Sequence, residues 1–421
     1  MQKIYRVRAY AIALLCVSSS FYIYEFFLRV MPSVITDELM REFGVNAGTM
    51  SIMTSCFLYS YALMQIPAGL LVDRYGPRLV LSVAVFICAI STVLFQATTH
   101  IGLAIISRLM LGAASSVAFI APLTLASRWF PVQYLAFIAG CVQLLGCFGA
   151  IMGGAPIVIL NNYMGWRSVM LWAAALGCAL SALFWFFIAD APSDMRISSK
   201  EHSTESVLQQ LYGIICNRNI LWIALAAFAS WSAMGSLAEL WGVPFLVKFH
   251  SLDPHDAALL VMIIWLGVAI GSPCAGWWTE YTQYHRTPLA CLLILSFITS
   301  IVLIYCTPSK NFILLNLFLM GFAAGAQPIT FSLVALHAPP ERIATAFGFN
   351  NMAVVCGASL LQPIIGLLLD FFWDGNTTGI RVYDVVHYQH ALIIVPFSIL
   401  LGIIACYYIT EHTAHKNHLS H

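Results

Sequence analysis

Charge is scarce in this chain. Only 9% of its 421 residues are Asp, Glu, Lys or Arg, against 61% hydrophobic, where soluble domains carry about 25% charged residues. So few charges cannot cover a water-soluble protein of this length. The net charge is +1, which leaves no electrostatic footprint for a nucleic-acid partner. Cysteine clustering is missing as well. The chain has 12 cysteines, but no CxxC and no Cys–His group at metal-ligand spacing. Cys16, Cys56, Cys88, Cys141, Cys147, Cys178, Cys291 and Cys356 lie inside apolar runs and read as small buried hydrophobes. His412, His415, His418 and His421 decorate a polar tail that reads as solvated rather than metal-binding. No nucleophile–base pair stands out. An enzyme, a cofactor and a metal site are therefore not expected.

What the chain has instead is apolar runs of roughly 20 residues, each able to cross a ~30 Å hydrocarbon core. They fall at about 9–34, 48–73, 79–98, 102–127, 134–160, 166–189, 219–248, 256–280, 286–306, 311–335, 343–371 and 387–410. The basic start MQKIYRVRAY mimics a signal peptide, but its apolar stretch runs past Met31 without a small-residue cleavage site. It reads as a retained first span. The longest polar stretch lies between Ala191 and Arg218 and divides the chain into a six-helix half (1–190), a linker (191–218) and a second six-helix half with a short tail (219–421). Placing the N-terminus in the cytoplasm puts Lys3, Arg6, Arg8, Arg74, Arg78, Arg128, Arg196, Lys200, Arg218, Arg286, Arg342 and Lys416 on that side. Only Arg41, Arg167, Lys248, Lys310 and Arg381 then lie opposite. The positive-inside bias thus predicts both termini in the cytoplasm.

The halves look like repeats. Gly69 to Arg78 reads GLLVDRYGPR after the second run; Gly276 to Arg286 reads GWWTEYTQYHR after the eighth. Both have Gly, an acid four residues on, and a downstream Arg. AFIAGCVQ ends at Gln143 in the fifth run, and AFGFNN ends at Asn351 in the eleventh. The fold class expected is an all-α membrane protein of twelve transmembrane helices in two pseudo-symmetric six-helix halves. In duplicated transporter folds the cargo site lies at midplane, at the repeat interface.

The Gly69–Arg78 segment resembles the loop signature of the major facilitator superfamily, Gly-x-Leu-x-Asp-Arg-x-Gly-Arg-Arg. Gly69, Asp73, Arg74, Gly76 and Arg78 match, and Pro77 departs from the pattern. The resemblance implies a gating role. Asp73, at a helix end, is placed to pair with Arg78 or to meet the positive N-terminus of a neighbouring helix. Arg108 and Gly112 resemble a second signature of that superfamily, and so does Gly-Trp-Arg at Gly165–Arg167. Gly146, Gly149, Gly153, Gly154 and Pro156 only partly match the Gly-Pro signature of proton-coupled drug exporters, because the Pro follows the paired glycines. The stretches Phe21–Ile35 and Ala238–Val247 are similar to those of phagosomal nutrient transporters of intracellular bacteria, associated with amino-acid and nucleoside uptake, and to related lysosomal peptide carriers. The resemblance implies a secondary carrier in a bacterial inner membrane. Its expected partners are a small-molecule cargo, co-transported protons and the lipid bilayer, and the chain is expected to act as a monomer.

Charge at a bilayer centre costs about 2.5–3.5 kcal/mol even on the gentlest scale. Glu25, Arg29, Arg108 and Glu239 nevertheless fall inside predicted spans. Tyr22, Glu25 and Arg29 share one helix face. Burial and a nearby Arg act on a carboxyl in opposite directions, so a Glu held between them is suited to proton coupling. An Arg fork matches a carboxylate and a Glu matches an ammonium, which fits a small zwitterionic nutrient such as an amino acid. The plainer reading is an intrahelical Glu25–Arg29 pair that neutralises itself, with Arg108 structural and Glu239 snorkelling to water. Uncharged candidates for cargo contact are Tyr59, Gln65, Gln143, Trp231, Trp241, Trp265, Gln327, Asn350, Asn351 and Gln362. Each is open to reading as interhelical glue or core. Export of a drug or siderophore-like compound is the alternative transport reading. A non-transporting membrane sensor is the alternative of another class.

Overall fold

The computed structural model describes residues 2–45, 47–153, 155–190, 212–252, 254–306, 310–373 and 383–411. Every regular element among them is helical. Twelve segments are long and apolar enough to cross a membrane: Tyr10–Pro32, Ile52–Tyr75, Pro77–Ala97, Ile101–Trp129, Val132–Met152, Trp166–Phe187, Arg218–Phe249, Leu259–Thr282, Arg286–Tyr305, Asn311–His337, Pro340–Leu369 and Val385–Tyr408. They match the twelve apolar runs one for one, because length and apolarity are what a bilayer demands. Most of the expected linker, 191–211, lies outside the described residues, as do the tail histidines beyond Glu411.

The surface confirms the solvent. Trp172, Phe186, Leu367 and Phe371 are 71%, 83%, 69% and 78% exposed, which only a hydrocarbon surrounding tolerates at such density. The cysteines divide the same way. Cys88 and Cys147 are buried as expected, but Cys16, Cys178 and Cys291 are exposed. In a membrane helix the outward face is as apolar as the core, so an apolar run does not tell the two apart.

Several spans are broken where the sequence shows continuous apolarity. The fourth is Ile101–Ser115 followed by Val117–Trp129, and the tenth is Lys310–Ala324 followed by Gln327–His337. The seventh contains a rare wide turn: Met234–Trp241 winds as a π-helix. Such stretches recur at functional positions.

The described residues form two compact units. The first takes in Met1–Val132, Leu145–Tyr212 and Ala338–Phe349; the second takes in Gln133–Leu144, Gly213–His337 and Asn350–His421. Close packing explains why the first turns of the fifth and eleventh spans are exchanged. In the first unit, a Cβ on Gly69 would collide with the Ala344 carbonyl, and one on Gly348 with the Gln65 carbonyl. In the second unit, a Cβ on Gly276 would collide with the Phe137 backbone, and one on Gly140 with the Ser272 carbonyl. The two units thus use one contact pattern twice, as the repeat predicts. Small residues are how membrane helices approach without a hydrophobic drive. A Cβ on Gly112 would strike both the Phe57 carbonyl and Ser60 Oγ, whereas one on Gly102 meets nothing nearer than 3.5 Å. Overpacking costs about 1–3 kcal/mol, so Gly112→Ala should lower the melting temperature by several degrees and Gly102→Ala should leave it unchanged. Melting curves of the two variants in detergent check this.

Each unit also closes a helix start with a distant acid. Asp190 Oδ1 accepts the Arg78 backbone N–H (2.7 Å) at the start of Pro77–Ala97. Glu411 Oε1 accepts the backbone N–H groups of His285 (2.6 Å) and Arg286 (3.1 Å) at the start of Arg286–Tyr305. The buried ring of His285, in the loop before that helix, is pushed below its usual 6.5 by burial, and Glu411 opposes the shift. A base with a lowered folded-state pKa is neutral in both states at high pH. As pH falls below about 6.5 the unfolded chain binds the proton first, so stability is lost on acidification. His285→Gln should flatten the fall in melting temperature between pH 7 and pH 5.

Candidate functional site

Three of the four membrane charges converge in the first unit. Glu25 is fully buried, and neither of its carboxylate oxygens has a hydrogen-bond partner. Arg29 and Arg108 both act on it electrostatically. The Arg29 guanidinium lies over the rings of Phe26 (5.2 Å), Phe57 (5.8 Å) and Tyr61 (6.0 Å). Arg108, 3% exposed, lies over Phe57 (5.0 Å), and its Nη1 donates to the Leu28 carbonyl (3.2 Å). Phe57 therefore stands under two guanidiniums, each offset in part by the ring quadrupole. Tyr22 packs on Phe26 (4.8 Å) and Phe119 (5.0 Å).

Glu25 and Arg29 do share a face, but no hydrogen bond joins them: the carboxylate is left without a donor while Arg29 lies on aromatic rings. Two guanidiniums, of Arg29 and Arg108, thus act on the one Glu25 carboxyl. The aromatic partners were not singled out in the sequence, since Phe and Tyr are common in spans. The signal was their spacing, Phe57 and Tyr61 being one turn apart on the second span.

The glycines of the fifth span have a packing role here. A Cβ on Gly146 would press on the Tyr22 ring, one on Gly149 would strike the Ile23 carbonyl, and one on Gly153 would lie 2.7 Å from the Phe27 carbonyl. They let the fifth helix lie against the helix that carries Glu25. Tyr59 is 59% exposed and does not join this group.

The fourth charge lies in the second unit. Glu239 is half-buried on the π-helical stretch. Gln362 Nε2 donates to its Oε2 (3.2 Å) and to the Gly235 carbonyl (2.9 Å), while Trp241 Nε1 donates to the Gln362 carbonyl (2.9 Å). Glu239 is thus tied into protein contacts rather than only reaching for water. Gln362 thereby links the Gly235 carbonyl and the Glu239 carboxylate, both on the wide turn. Asn350 is fully buried and donates through Nδ2 to Thr330 Oγ1 (2.8 Å). Gln143 and Asn351 are 2% and 4% exposed and both belong to the second unit.

At the loop signature, Asp73 takes the helix N-terminus. Its Oδ1 accepts the Ala344 N–H (3.0 Å), and its Oδ2 accepts both the Thr345 N–H (2.7 Å) and the Thr345 hydroxyl (2.6 Å). A carboxylate at the start of Ile343–Ser359 satisfies orphan donors and meets the positive end of the helix. Arg78 is engaged elsewhere: its Nε donates to the Trp185 carbonyl (2.7 Å), and its guanidinium lies over the Trp185 ring. Arg74 is exposed and lies over Tyr75 (5.4 Å). Gly76 has φ of 83°, a conformation glycine adopts freely, and this starts the next helix at Pro77. Among the described residues no group of His, Cys, Asp and Glu has the makings of a metal site.

Comparison with known proteins bears on this arrangement. The sequence profile of the Major Facilitator Superfamily matches residues 10–250 and 242–421. An uncharacterized transporter, YybO, of Bacillus subtilis is 23% identical over 92% of this chain and 91% of its own length. The D-galactonate transporter of Escherichia coli O6:H1 is 23% identical over 81% and 85% respectively. The crystal structure of the E. coli fucose:proton symporter FucP superposes with a TM-score of 0.73 at 16% identity, covering 96% of this chain and all of that one.

Proposed function

Because the chain belongs to the Major Facilitator Superfamily, and is by that membership a multi-pass membrane transporter, we propose that it is a proton-coupled secondary carrier of a small carboxylate-bearing solute. Arg108 and Arg29 hold the carboxylate and Glu25 carries the proton. The observation that supports this reading is Glu25 itself: fully buried, without a hydrogen-bond donor, beside two guanidiniums. An anion arriving at the arginines competes with Glu25 for the same positive charge. Glu25 then takes up a proton, since an unpaired buried carboxylate is costly. Solute and proton therefore enter together, as alternating access with coupled uptake requires. The name of one full-length relative, a D-galactonate transporter, favours an organic anion. The Lys and Arg asymmetry of the loops supports cytoplasmic termini, and with the bacterial relatives it supports the inner membrane.

An amino acid is the second reading, favoured by the likeness of Phe21–Ile35 and Ala238–Val247 to carriers associated with such solutes. The export reading drew on the fifth-span glycines, and packing against Tyr22, Ile23 and Phe27 gives Gly146, Gly149 and Gly153 another role. Uptake of radiolabelled D-gluconate, pyruvate and L-alanine into proteoliposomes under an inward pH gradient tests the reading. Saturable accumulation of at least one of them, lost in Arg108→Gln, is expected. Undiminished accumulation in Arg108→Gln would remove the assignment.

A further inference from the structure

In the second unit, the residues that follow the twelfth span tie it to three others. The helix Ile394–Tyr408 ends, and Ile409 after it is 1% exposed. The Thr410 N–H donates to Asn219 Oδ1 (3.2 Å) in the first turn of the seventh span. The Thr410 hydroxyl meets His337 Nε2 (3.4 Å) at the end of the tenth. His337 Nδ1 lies 2.8 Å from the Leu333 carbonyl. A carbonyl only accepts, so Nδ1 carries the hydrogen, and Nε2 of the neutral ring accepts from Thr410. Asn217 Nδ2 donates to the His337 carbonyl (3.3 Å), while Asn217 Oδ1 accepts the Asn219 N–H (3.0 Å). These bonds form a closed circuit. Glu411 adds the ninth span, because its Oε1 accepts the N–H groups of both His285 and Arg286.

This last joint differs from its counterpart in the first unit. There the residue before the capped helix is Gly76; here it is His285. The His285 ring is 8% exposed, and its Nε2 is buried without a partner. The charged group that acts on the ring is Glu411. Arg286, next in the chain, turns its guanidinium over Tyr407 of the twelfth span (5.6 Å), beside Cys406. His337 is engaged by Leu333 and Thr410. At the end of the eighth span, Tyr281 stacks on Trp277 (5.6 Å) and the Glu280 carbonyl accepts from Gln283 Nε2 (2.6 Å). A proton on a buried ring needs a counter-charge. Glu411 can supply it only by letting go of the two backbone N–H groups, so one carboxylate has two competing partners.

We propose that Ile409–Glu411 is a strap joining the ends of the seventh, ninth, tenth and twelfth spans, and that protonation of His285 releases it. The loop charges favour a cytoplasmic position for this face. Alternating access is largely the rocking of rigid halves, so loosening these helix ends slows the carrier when this face turns acidic. In a carrier that brings protons inward, the strap is a brake worked by the imported proton. The brake rests on the proton-coupled reading above; the strap itself does not.

Hydrogen exchange of the purified full chain at pH 7.5 and pH 5.5, corrected for the intrinsic pH dependence, tests the strap without any solute. Protection of the His285, Arg286 and Thr410 amides should fall about tenfold, the effect of one proton binding an opened imidazole of pKa about 6.5. The Arg78 amide, capped by Asp190 with no histidine beside it, should keep its protection. In His285→Gln the loss should vanish; His285→Phe serves if that variant does not fold. No loss in the wild type, or an equal loss in the variant, would overturn the proposal. Exchange of labelled for unlabelled D-gluconate, pyruvate or L-alanine at equal pH on both sides tests the brake. From pH 7.5 to pH 5.5 the wild-type rate should fall several-fold relative to His285→Gln. An unchanged ratio alongside lost protection would overturn the brake and leave the strap. Exchange of none of the three solutes would overturn the carboxylate reading and leave the strap to the amide result.

Discussion

Glu25→Gln is expected to abolish proton-driven accumulation while leaving passive exchange intact. Gln keeps the shape and the burial but cannot exchange a proton. With one proton moved per solute, a gradient of one pH unit supports accumulation of about tenfold, since that gradient is worth about 1.36 kcal/mol. The variant should stop near onefold. Exchange of labelled for unlabelled solute at equal pH should survive, because Arg108 and Arg29 still hold the carboxylate and no net proton movement is needed. Tenfold accumulation by Glu25→Gln would move the coupling elsewhere, with Glu239 the remaining membrane acid. A self-neutralising Glu25–Arg29 pair predicts a different result: lost stability and unchanged coupling. The absence of any hydrogen bond to Glu25 argues against that pair.

The second large effect is expected at Asp73. Its carboxylate accepts three bonds from Ala344 and Thr345, and charge-assisted caps of this kind are worth about 0.5–2 kcal/mol, with the helix end adding to them. We propose that this contact holds one state of the transport cycle and must break to leave it. Losing about 2 kcal/mol from one state shifts its population roughly 30-fold. Asp73→Ala should therefore lower the maximal uptake rate by about 5- to 30-fold, with KM changed less than twofold because Asp73 is engaged by Ala344 and Thr345 and is not among the proposed cargo-binding residues. Asp73→Asn should fall between that and the wild type. Thr345→Val removes only the hydroxyl bond and should cost about threefold. Rates in proteoliposomes at matched protein density provide the measurement. A Thr345→Val defect larger than that of Asp73→Ala would contradict the capping account.

The spans were readable because a bilayer imposes one simple rule, about 20 apolar residues per crossing. The repeat was readable because Gly69 and Gly276, and Gln143 and Asn351, recur at nearly the same offset, 207 and 208 residues. Packing decided the rest. Nothing in the sequence separates Cys88, which is buried, from Cys178, which is exposed, since both faces of a span are apolar. Asp73 had two partners within reach on paper. Trp185, distant in sequence, claimed Arg78 and left the helix start at Ala344 to Asp73. The charges Glu25, Arg29 and Arg108 were legible because membrane charge is costly and therefore conspicuous. Their aromatic setting was not, because Phe57 and Tyr61 look like ordinary span residues. The π-helical stretch under Glu239 and the break before Gln327 leave no compositional trace; close contacts distant in sequence flank them, of Gly235 with Ala358 and of Gly325 with Gly271.

The central claim is that one proton and one carboxylate share the Glu25–Arg108 site. The measurement that tests it most directly is uptake of D-gluconate and L-alanine into proteoliposomes under a pH gradient alone and under a potassium-diffusion potential alone. A monoanion moving with one proton carries no net charge, so its uptake should follow the pH gradient and ignore the potential. A zwitterion moving with one proton carries one charge and should also respond to the potential, at about 2.3 kcal/mol per 100 mV. The account predicts gluconate uptake driven by the pH gradient alone. Uptake of the transported solute at the same rate with the pH gradient collapsed would contradict it.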